Sequence, residues 1–289
     1  MSFFVACPGN DYTTAMPEQL SRFIQNYPRL FILTGAGCST ASGIPAYRDQ
    51  NGCWQRPPPV QHKDFMTSNT TRQRFWARSL IGWPVMARAR PNAVHQGLQL
   101  LEQKGYCQQL VTQNVDRLHQ QAGQQRVIDL HGRSDRVRCM SCDRLYDRNR
   151  IHQQMLDNNH YYANFTAAAA PDGDADLEHV DFSRFQVTDC EDCGGLLKPD
   201  VIFFGDNVPK ERVFQALDSL QKADAMLVVG SSLMVYSGYR FCKRATQMNK
   251  PILALTRGKT RADDMLSLKL DGEITDYLNP LANLLTARD

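Results

Sequence analysis

At 289 residues, 42% of them hydrophobic, the chain is long enough for one large domain, or for one large and one small. A formal charge of +3 at pH 7 is only mildly basic and argues against nucleic acid as the main partner. Nine cysteines, an opening segment MSFFVACPGNDYTTAM without a secretory or transit pattern, and no apolar run of membrane-spanning length predict a cytoplasmic, reducing setting, where clustered cysteines bind metal or react.

The first helix is expected over residues 17–26, with Leu20, Phe23 and Ile24 on one face. Residues 30–33 form an apolar run that reads as a buried strand and enters TGAGCST directly. Small residues in such a loop let the backbone approach a phosphate. The loop lacks the lysine of a P-loop. Gly35 and Gly37 fit the first two glycines of the dinucleotide fingerprint, but Thr40 stands where the third belongs, and no acidic residue closes a second strand at the ribose-binding spacing. SGIP, residues 42–45, then breaks any helix. A phosphate-like ligand is therefore expected, held in neither common way. Cys38, inside the loop, reads first as a small residue packed in a tight turn and second as a reactive thiol.

Further apolar strands follow: QQLVTQNVD (108–116), RVIDLHG (126–132), DVIFFGD (200–206), AMLVVGSS (225–232) and PILALTRG (251–258). Helical segments such as PNAVHQGLQLLEQKG (91–105) and KERVFQALDSLQKAD (210–224) lie between most of them. Near-continuous apolar strands alternating with helices predict an α/β fold, a Rossmann-like parallel sheet with helices on both faces. Ligands in such sheets sit at the carboxyl ends of the strands, so the polar strand endings should converge on one crevice. Those endings are Gln113, Asn114 and Asp116, an ordinary polar turn or a ligand-lining row; His131, a structural histidine or a general base; and Gly230, Ser231 and Ser232, a helix cap or a second phosphate or ribose contact. His95 belongs to an amphipathic helix and is expected in the core, His119 caps or lines the site, and His62, His152, His160 and His179 lie in polar surroundings.

Residues 138–198 interrupt the alternation. Cys139 and Cys142 form one C-x2-C pair, Cys190 and Cys193 another, the second trailed by Gly194 and Gly195. Two knuckles of equal spacing match a tetrahedral four-thiolate zinc site; the competing readings are four unrelated buried cysteines or a redox dithiol. Four thiolates close the coordination sphere, so the one zinc ion would be structural. A helix is expected over residues 147–158 and a mobile, acidic, turn-rich loop over residues 167–185.

Taken together, GAGCSTASGIPAYRD, TQNVDRLH, DLHG, the two cysteine pairs, KPDVIFFGDNVP and VVGSSLMVYSG resemble the sirtuin family, in the family's order and over roughly residues 30–278. RFWARSLIGWP, residues 74–84, further resembles the class II branch, which includes the mitochondrial lipoamidase and ADP-ribosyltransferase type. The resemblance implies an NAD-dependent protein-lysine deacylase. Gly35, Ala36 and Gly37 would meet the NAD diphosphate, Tyr47 and Arg48 would belong to a flexible cofactor loop, and Gln113, Asn114 and Asp116 would line the ribose and nicotinamide pocket, with Asn114 also in the catalytic group. Gly230, Ser231, Ser232, Thr256, Arg257, Gly258 and Ile274 would complete the cofactor site. The acyl-lysine amide oxygen would attack the anomeric carbon and expel nicotinamide. His131 would then take a proton from a ribose hydroxyl, which attacks the resulting imidate and gives free lysine and O-acyl-ADP-ribose. Cys139, Cys142, Cys190 and Cys193 would hold the zinc. Phe204, Gly205, Val208, Val235 and Tyr236 would clamp the acylated protein substrate as an added strand.

The same resemblance implies a single catalytic unit over residues 1–289, with a large NAD-binding domain at about 17–137 and 199–289 and a zinc module at about 138–198, with part of 47–90 as a candidate to join the module. It implies no nucleic-acid or membrane partner and no particular oligomer. Three positions depart from the family pattern: Ala46 replaces an Asp, Thr256 an Asn, and the Asp of FGD a Glu. No Tyr and Arg stand three apart before Pro91, so neutral acyl groups are expected in a tunnel lined by apolar residues of 75–83 and around Phe203. Alternatives are a mono-ADP-ribosyltransferase, a catalytically weak NAD or ADP-ribose binding module, and, against the charge, a zinc-ribbon nucleic-acid binder.

Overall fold

The computed structural model describes residues 12–56, 59–165, 173, 175, 177 and 180–279, with side chains from residue 18 onward. Cys7, His179 and most of the loop expected over residues 167–185 lie outside the described residues.

In chain order, α1 (Tyr12–Asn26) leads into β1 (Leu30–Thr34), followed by two short 3-10 turns, Ala36–Cys38 and Thr40–Ser42. Next come α2 (His62–Thr67), α3 (Asn69–Arg88), α4 (Ala93–Gln103), β2 (Cys107–Thr112), α5 (Leu118–Gln121), β3 (Val127–Asp129), β4 (Gly132–Cys139) and β5 (Leu145–Asp147). The chain continues through α6 (Arg148–Asn158), α7 (His160–Ala163), β6 (Leu197–Val201), α8 (Lys210–Lys222), β7 (Ala225–Val229), α9 (Tyr236–Gln247), β8 (Ile252–Leu255) and β9 (Leu268–Leu270). A further helix begins at Ile274. Polar side chains cap some of the helices: Asn92 accepts from the Val94 amide (2.8 Å) at α4, and Asp147 from the Asn149 amide (2.8 Å) at α6.

Six parallel strands form the main sheet in the order β3-β2-β1-β7-β8-β9. The central strands are apolar throughout because both of their faces are covered. Ile32, Leu110, Leu227 and Leu253 pack on Leu20 and Ile24 of α1 and Leu98 and Leu101 of α4. Phe31, Leu33, Val111 and Val228 point the other way, onto Ala216 and Leu220 of α8 and Phe241 and Ala245 of α9. Each such side chain, fully buried, stabilises the fold by about 1.5–3 kcal/mol before conformational entropy is subtracted.

A second sheet, β5-β4-β6, is antiparallel with β4 in the middle. It carries its own core, in which Val137, Tyr146 and Leu197 meet Ile151 and Met155 of α6 and Phe75 and Trp76 of α3. Here the structure corrects one expectation. DVIFFGD is not a strand of the parallel sheet: the strand is Leu197–Val201, paired with β4, and residues 203–205 leave it as a loop. An apolar run carries no information about its pairing partner, and here the Ile202 amide bonds to the His131 carbonyl (2.8 Å), outside the main sheet. β9 was not expected, because a three-residue edge strand with one buried side chain leaves almost no pattern. Among the described residues, no helix is long and apolar enough to cross a membrane.

Candidate active site

Strand order reverses between β1 and β7: the chain continues from β1 to β2 on one side and from β7 to β8 on the other. That reversal opens a crevice at the carboxyl ends of the two strands. The loops after β1 and β7 meet there backbone to backbone. The Gly35 amide bonds to the Val229 carbonyl (3.1 Å) and the Gly37 amide to the Gly230 carbonyl (2.8 Å). A methyl on Gly37 would stand 2.9 Å from that same carbonyl oxygen, and Gly230 sits at φ +63 with space for nothing larger against the Cys38 amide. The glycines are needed first for this mutual approach of two loops.

The resulting cleft, about 860 Å³, is lined by Gly35, Ala36, Gly37, Tyr47, Arg48, Gln113, Asn114, Asp116, His131, Phe204, Gly205, Val208, Gly230, Ser231, Ser232, Val235, Tyr236, Thr256, Arg257 and Ile274. Gly258 is not among the lining residues. Its amide bonds to Asp271 (2.9 Å), and the next amide, of Lys259, bonds to the Gln50 carbonyl (2.8 Å), which docks the 47–55 loop against the β8 turn. That loop folds back on itself through the Arg48–Trp54 bridge. The Arg48 guanidinium stacks 3.8 Å above the Trp54 ring, and Tyr47, Trp54 and Phe204 form an edge-on aromatic cluster at the rim.

Ser39, which the sequence reading passed over, ties the polar row together. Its hydroxyl donates to Asp116 Oδ2 (2.6 Å) and accepts from Asn114 Nδ2 (3.1 Å), which also donates to the Gly35 carbonyl (3.0 Å). Asp116 Oδ1 accepts from the Leu118 amide (2.9 Å). Burial raises the Asp116 pKa, and the Ser39 and Leu118 bonds work against that rise. Gln113 Nε2 reaches across to Ser231 Oγ (2.7 Å) and so joins the β2 ending to the β7 ending.

His131 is the titratable group with the clearest chemical poise. Nδ1 faces the Gln113 carbonyl (2.9 Å), an acceptor only, so Nδ1 carries the proton. Nε2 is then a lone pair, and it accepts from the Ser237 hydroxyl (2.6 Å). Burial pulls the imidazole pKa down to about 4; the Gln113 bond opposes this and the charges of Arg212 and Arg240 add to it. The ring is therefore neutral at pH 7. Gly132, at φ +83 with the Asp200 carbonyl against it, turns the chain immediately after His131 into β4.

Other candidates lie elsewhere. His119 is fully buried, bonds to Thr34 Oγ1 (3.0 Å) and stacks on His95 with ring centroids 4.8 Å apart, so it does not line the cleft. Burial pushes the Cys38 thiol up to about 12, which leaves the packed-turn reading. Apolar residues of 75–83 are not at the cleft wall: Phe75, Trp76 and Trp83 are core, and Phe203, packed 5.2 Å from Phe75, is the ring that faces the cleft. Helical spacing cannot tell a tunnel wall from the layer behind it. Ser237 and Arg240 also reach the cleft, from the first turns of α9, the helix that follows the β7 ending.

The four knuckle thiols converge with every Sγ within 4.8 Å of the others. Cys139 and Cys193 are 3.5 Å apart and Cys142 and Cys190 3.7 Å. A tetrahedron with Zn–S bonds of about 2.3 Å has edges of about 3.8 Å, so the cage fits zinc. The Ser141 amide points at Cys139 Sγ (3.4 Å), the usual support of a knuckle. At the crevice the donor set is two glycine turns, hydroxyls, amides and a neutral imidazole, which suits a sugar-bearing diphosphate.

Comparison with known proteins agrees with this geometry. The profile of the Sir2 family matches residues 35–237. The chain is 58% identical over 252 residues to an NAD-dependent protein deacetylase of Xanthomonas campestris pv. campestris, covering 87% of this chain and 86% of that one. It is 56% identical over 261 residues to an NAD-dependent protein deacetylase of Bordetella bronchiseptica, covering 90% and 95%. A solved structure described as Sir2-p53 peptide-NAD+ superposes with a TM-score of 0.74 at 27% identity, over 93% of this chain and 98% of that one.

Proposed function

The chain belongs to the Sir2 family, and we propose that its cleft removes acyl groups from protein lysine side chains with consumption of NAD, releasing nicotinamide and O-acyl-ADP-ribose. The observation that carries this reading is His131: a neutral imidazole at the switch point, its Nδ1–H anchored on Gln113, with Nε2 left to take a proton. NAD supplies the glycosidic bond that breaks and the ribose hydroxyl that receives the acyl group. Gly35, Ala36, Gly37, Gly230, Ser231 and Ser232 surround the diphosphate, and Thr256, Arg257 and Ile274 the adenosine end, with Gly258 holding the loop in place. Tyr47 and Arg48 cover the cofactor. Gln113, Asn114 and Asp116 face the ribose and nicotinamide. Asn114 has its Nδ2 tied down, which offers its carbonyl oxygen to the ligand. His131 Nε2 takes the hydroxyl proton once the ribose displaces Ser237. Phe204, Gly205 and Val208 on one side and Val235 and Tyr236 on the other hold the peptide as an added strand.

The same reading assigns zinc to Cys139, Cys142, Cys190 and Cys193 and divides the chain into the NAD-binding part, residues 17–137 and 199–289, and the module of residues 138–198. The packing of Phe75 and Trp76 of α3 into the module's core supports adding part of 47–90 to it. The likeness of residues 74–84 supports the class II branch. Free thiols at the four described cysteines outside the cage, Cys38, Cys53, Cys107 and Cys242, support a reducing, cytoplasmic setting.

The test is NAD-dependent deacylation of a panel of acyl-lysine peptides with products identified by mass spectrometry. Acetyl and longer neutral chains are turned over and succinyl is not, because the cleft beside Phe203 offers apolar walls, Ile44, Val115, Val201 and Leu233 among them, and burying an unpaired carboxylate there costs several kcal/mol. Each extra buried methylene adds about 0.8 kcal/mol. Efficient desuccinylation would refute the argument from the walls.

Ala46 also lines the cleft. The nearby Asp49, also at the cleft, has its Oδ1 engaged by the Asn51 (2.9 Å) and Cys53 (2.8 Å) amides. Ala46→Asp is expected to tighten inhibition by free nicotinamide about tenfold or more, the worth of a hydrogen bond to a charged group. An unchanged inhibition constant would mean that another group already serves nicotinamide.

A further inference from the structure

The first turns of α9 present Tyr236, Tyr239, Arg240 and Lys243 at helical spacing on one side, and Arg261 comes in from the loop after β8. Tyr236 is 52% exposed at the cleft mouth. Three cations gather on the two rings: Arg240 lies 5.4 Å, Lys243 6.0 Å and Arg261 5.9 Å from the Tyr236 ring centroid, and Arg261 lies 4.4 Å from that of Tyr239. Among the described residues none of the three has a carboxylate partner. Some basic side chains elsewhere do: Arg117 pairs with Asp129, Arg136 and Arg138 with Asp200, and Arg257 at the cleft edge with Glu273 (2.6 Å). Of the acidic groups that line the cleft, Glu273 pairs with Arg257, Asp116 bonds to Ser39 and the Leu118 amide, and Asp49 to the Asn51 and Cys53 amides, and none of them pairs with the collar. Arg240 lines the cleft, and its Nε is buried with no hydrogen-bond partner. A buried donor left unmatched is costly, and a carboxylate matches a guanidinium with paired hydrogen bonds.

We propose that this collar of tyrosines and unpaired cations selects acyl-lysines set among Asp and Glu residues, with Arg240 as the central contact. The proposal rests on the reading that the segment at Val235 and Tyr236 holds the substrate peptide, since a peptide there passes directly beside the collar. Its aromatic rings hold the cations in place before the substrate arrives, so little side-chain freedom is lost on binding.

The test uses one acetyl-lysine peptide sequence in three forms, with Asp/Glu, Asn/Gln or Lys at the flanking positions, assayed on the wild-type enzyme, on Arg240→Gln and on the double variant Lys243→Gln/Arg261→Gln. On the wild type, kcat/KM for the acidic form exceeds that for the amide form by about tenfold, mainly through KM, and the Lys form is poorest. The advantage shrinks as ionic strength rises. Within each variant the acidic-to-amide ratio is the readout, so any general loss of turnover cancels. The ratio falls toward one in Arg240→Gln and part of the way in the double variant. Equal kcat/KM for acidic and amide forms on the wild type, or an unchanged ratio in Arg240→Gln, overturns the collar and leaves the deacylase reading standing. Turnover of none of the three peptides overturns both.

Discussion

His131→Ala is expected to cut deacylation by about 100-fold or more while NAD still binds, the usual worth of a positioned acid-base group. The imidazole hydrogen-bonds to the Gln113 carbonyl and to Ser237, and the loops around the cofactor are also held by bonds at Gly35, Gly37, Ser39 and Gln113. Calorimetric titration with NAD and single-turnover rates separate the two effects. Wild-type turnover in a folded variant would remove His131 from the reaction. The pH dependence has a definite sign. Burial holds the imidazole pKa at about 4 against 6.5 in an ordinary histidine, so the folded state takes up its proton later than the unfolded chain. Stability from this group is fully present above pH 6.5 and is lost as pH falls through about 4, with His95, also drawn down to about 4, acting in the same window. The acid limb of kcat/KM should therefore lie below pH 6.5 and vanish in His131→Ala. A limb centred at or above that value would contradict the buried, neutral ring.

Cys139→Ser or Cys190→Ser is expected to lose the single zinc and to lower the melting temperature by about 10 °C or more, since structural zinc binding is folding energy, on the order of 10–16 kcal/mol in isolated zinc modules, and even a few kcal/mol moves a chain of this size by that amount. The physical route is visible in the strands. Cys139 ends β4, and the Cys190 amide bonds to the Gly195 carbonyl (2.9 Å) just before β6 begins. A metal held there would tie the two strands together at one end of the antiparallel pair, and β6 continues into Phe203, Phe204 and Gly205 at the cleft. Activity should fall with the fold, and chelation of the wild type should reproduce the loss. Metal analysis that finds no zinc in the purified protein, or a variant that keeps both metal and melting temperature, would defeat the assignment.

What the sequence determined by itself was local. Runs such as LFILT, AMLVV and ILAL read as strands covered on both faces, because strand burial is written in consecutive residues. The two C-x2-C pairs declared a metal cage, because each knuckle is a four-residue object. His131, Gln113 and Ser231 could be picked out because each closes a strand, and parallel sheets put their ligands there. Tertiary structure decided everything that depends on which segments become neighbours. Only the strand order places the β1 and β7 loops in contact and shows that Gly37 and Gly230 accommodate one another. Only packing shows that Phe75 lies behind Phe203, that Trp83 packs behind Ile44 and Val115, that residues 197–201 pair with β4 instead of joining the main sheet, and that His119 is buried against His95. The carbonyl that fixes the proton on His131 Nδ1 and the hydroxyl that bonds to its Nε2 belong to residues 18 and 106 positions away in the chain, and the unpaired state of Arg240 is the absence of an acid from every described segment that folds around it. Hydrophobic period and ligand spacing survive in a linear text because they repeat within a few residues. A hydrogen-bond partner, a wall or a missing counter-charge is a relation between distant residues, and only the folded chain brings them within reach.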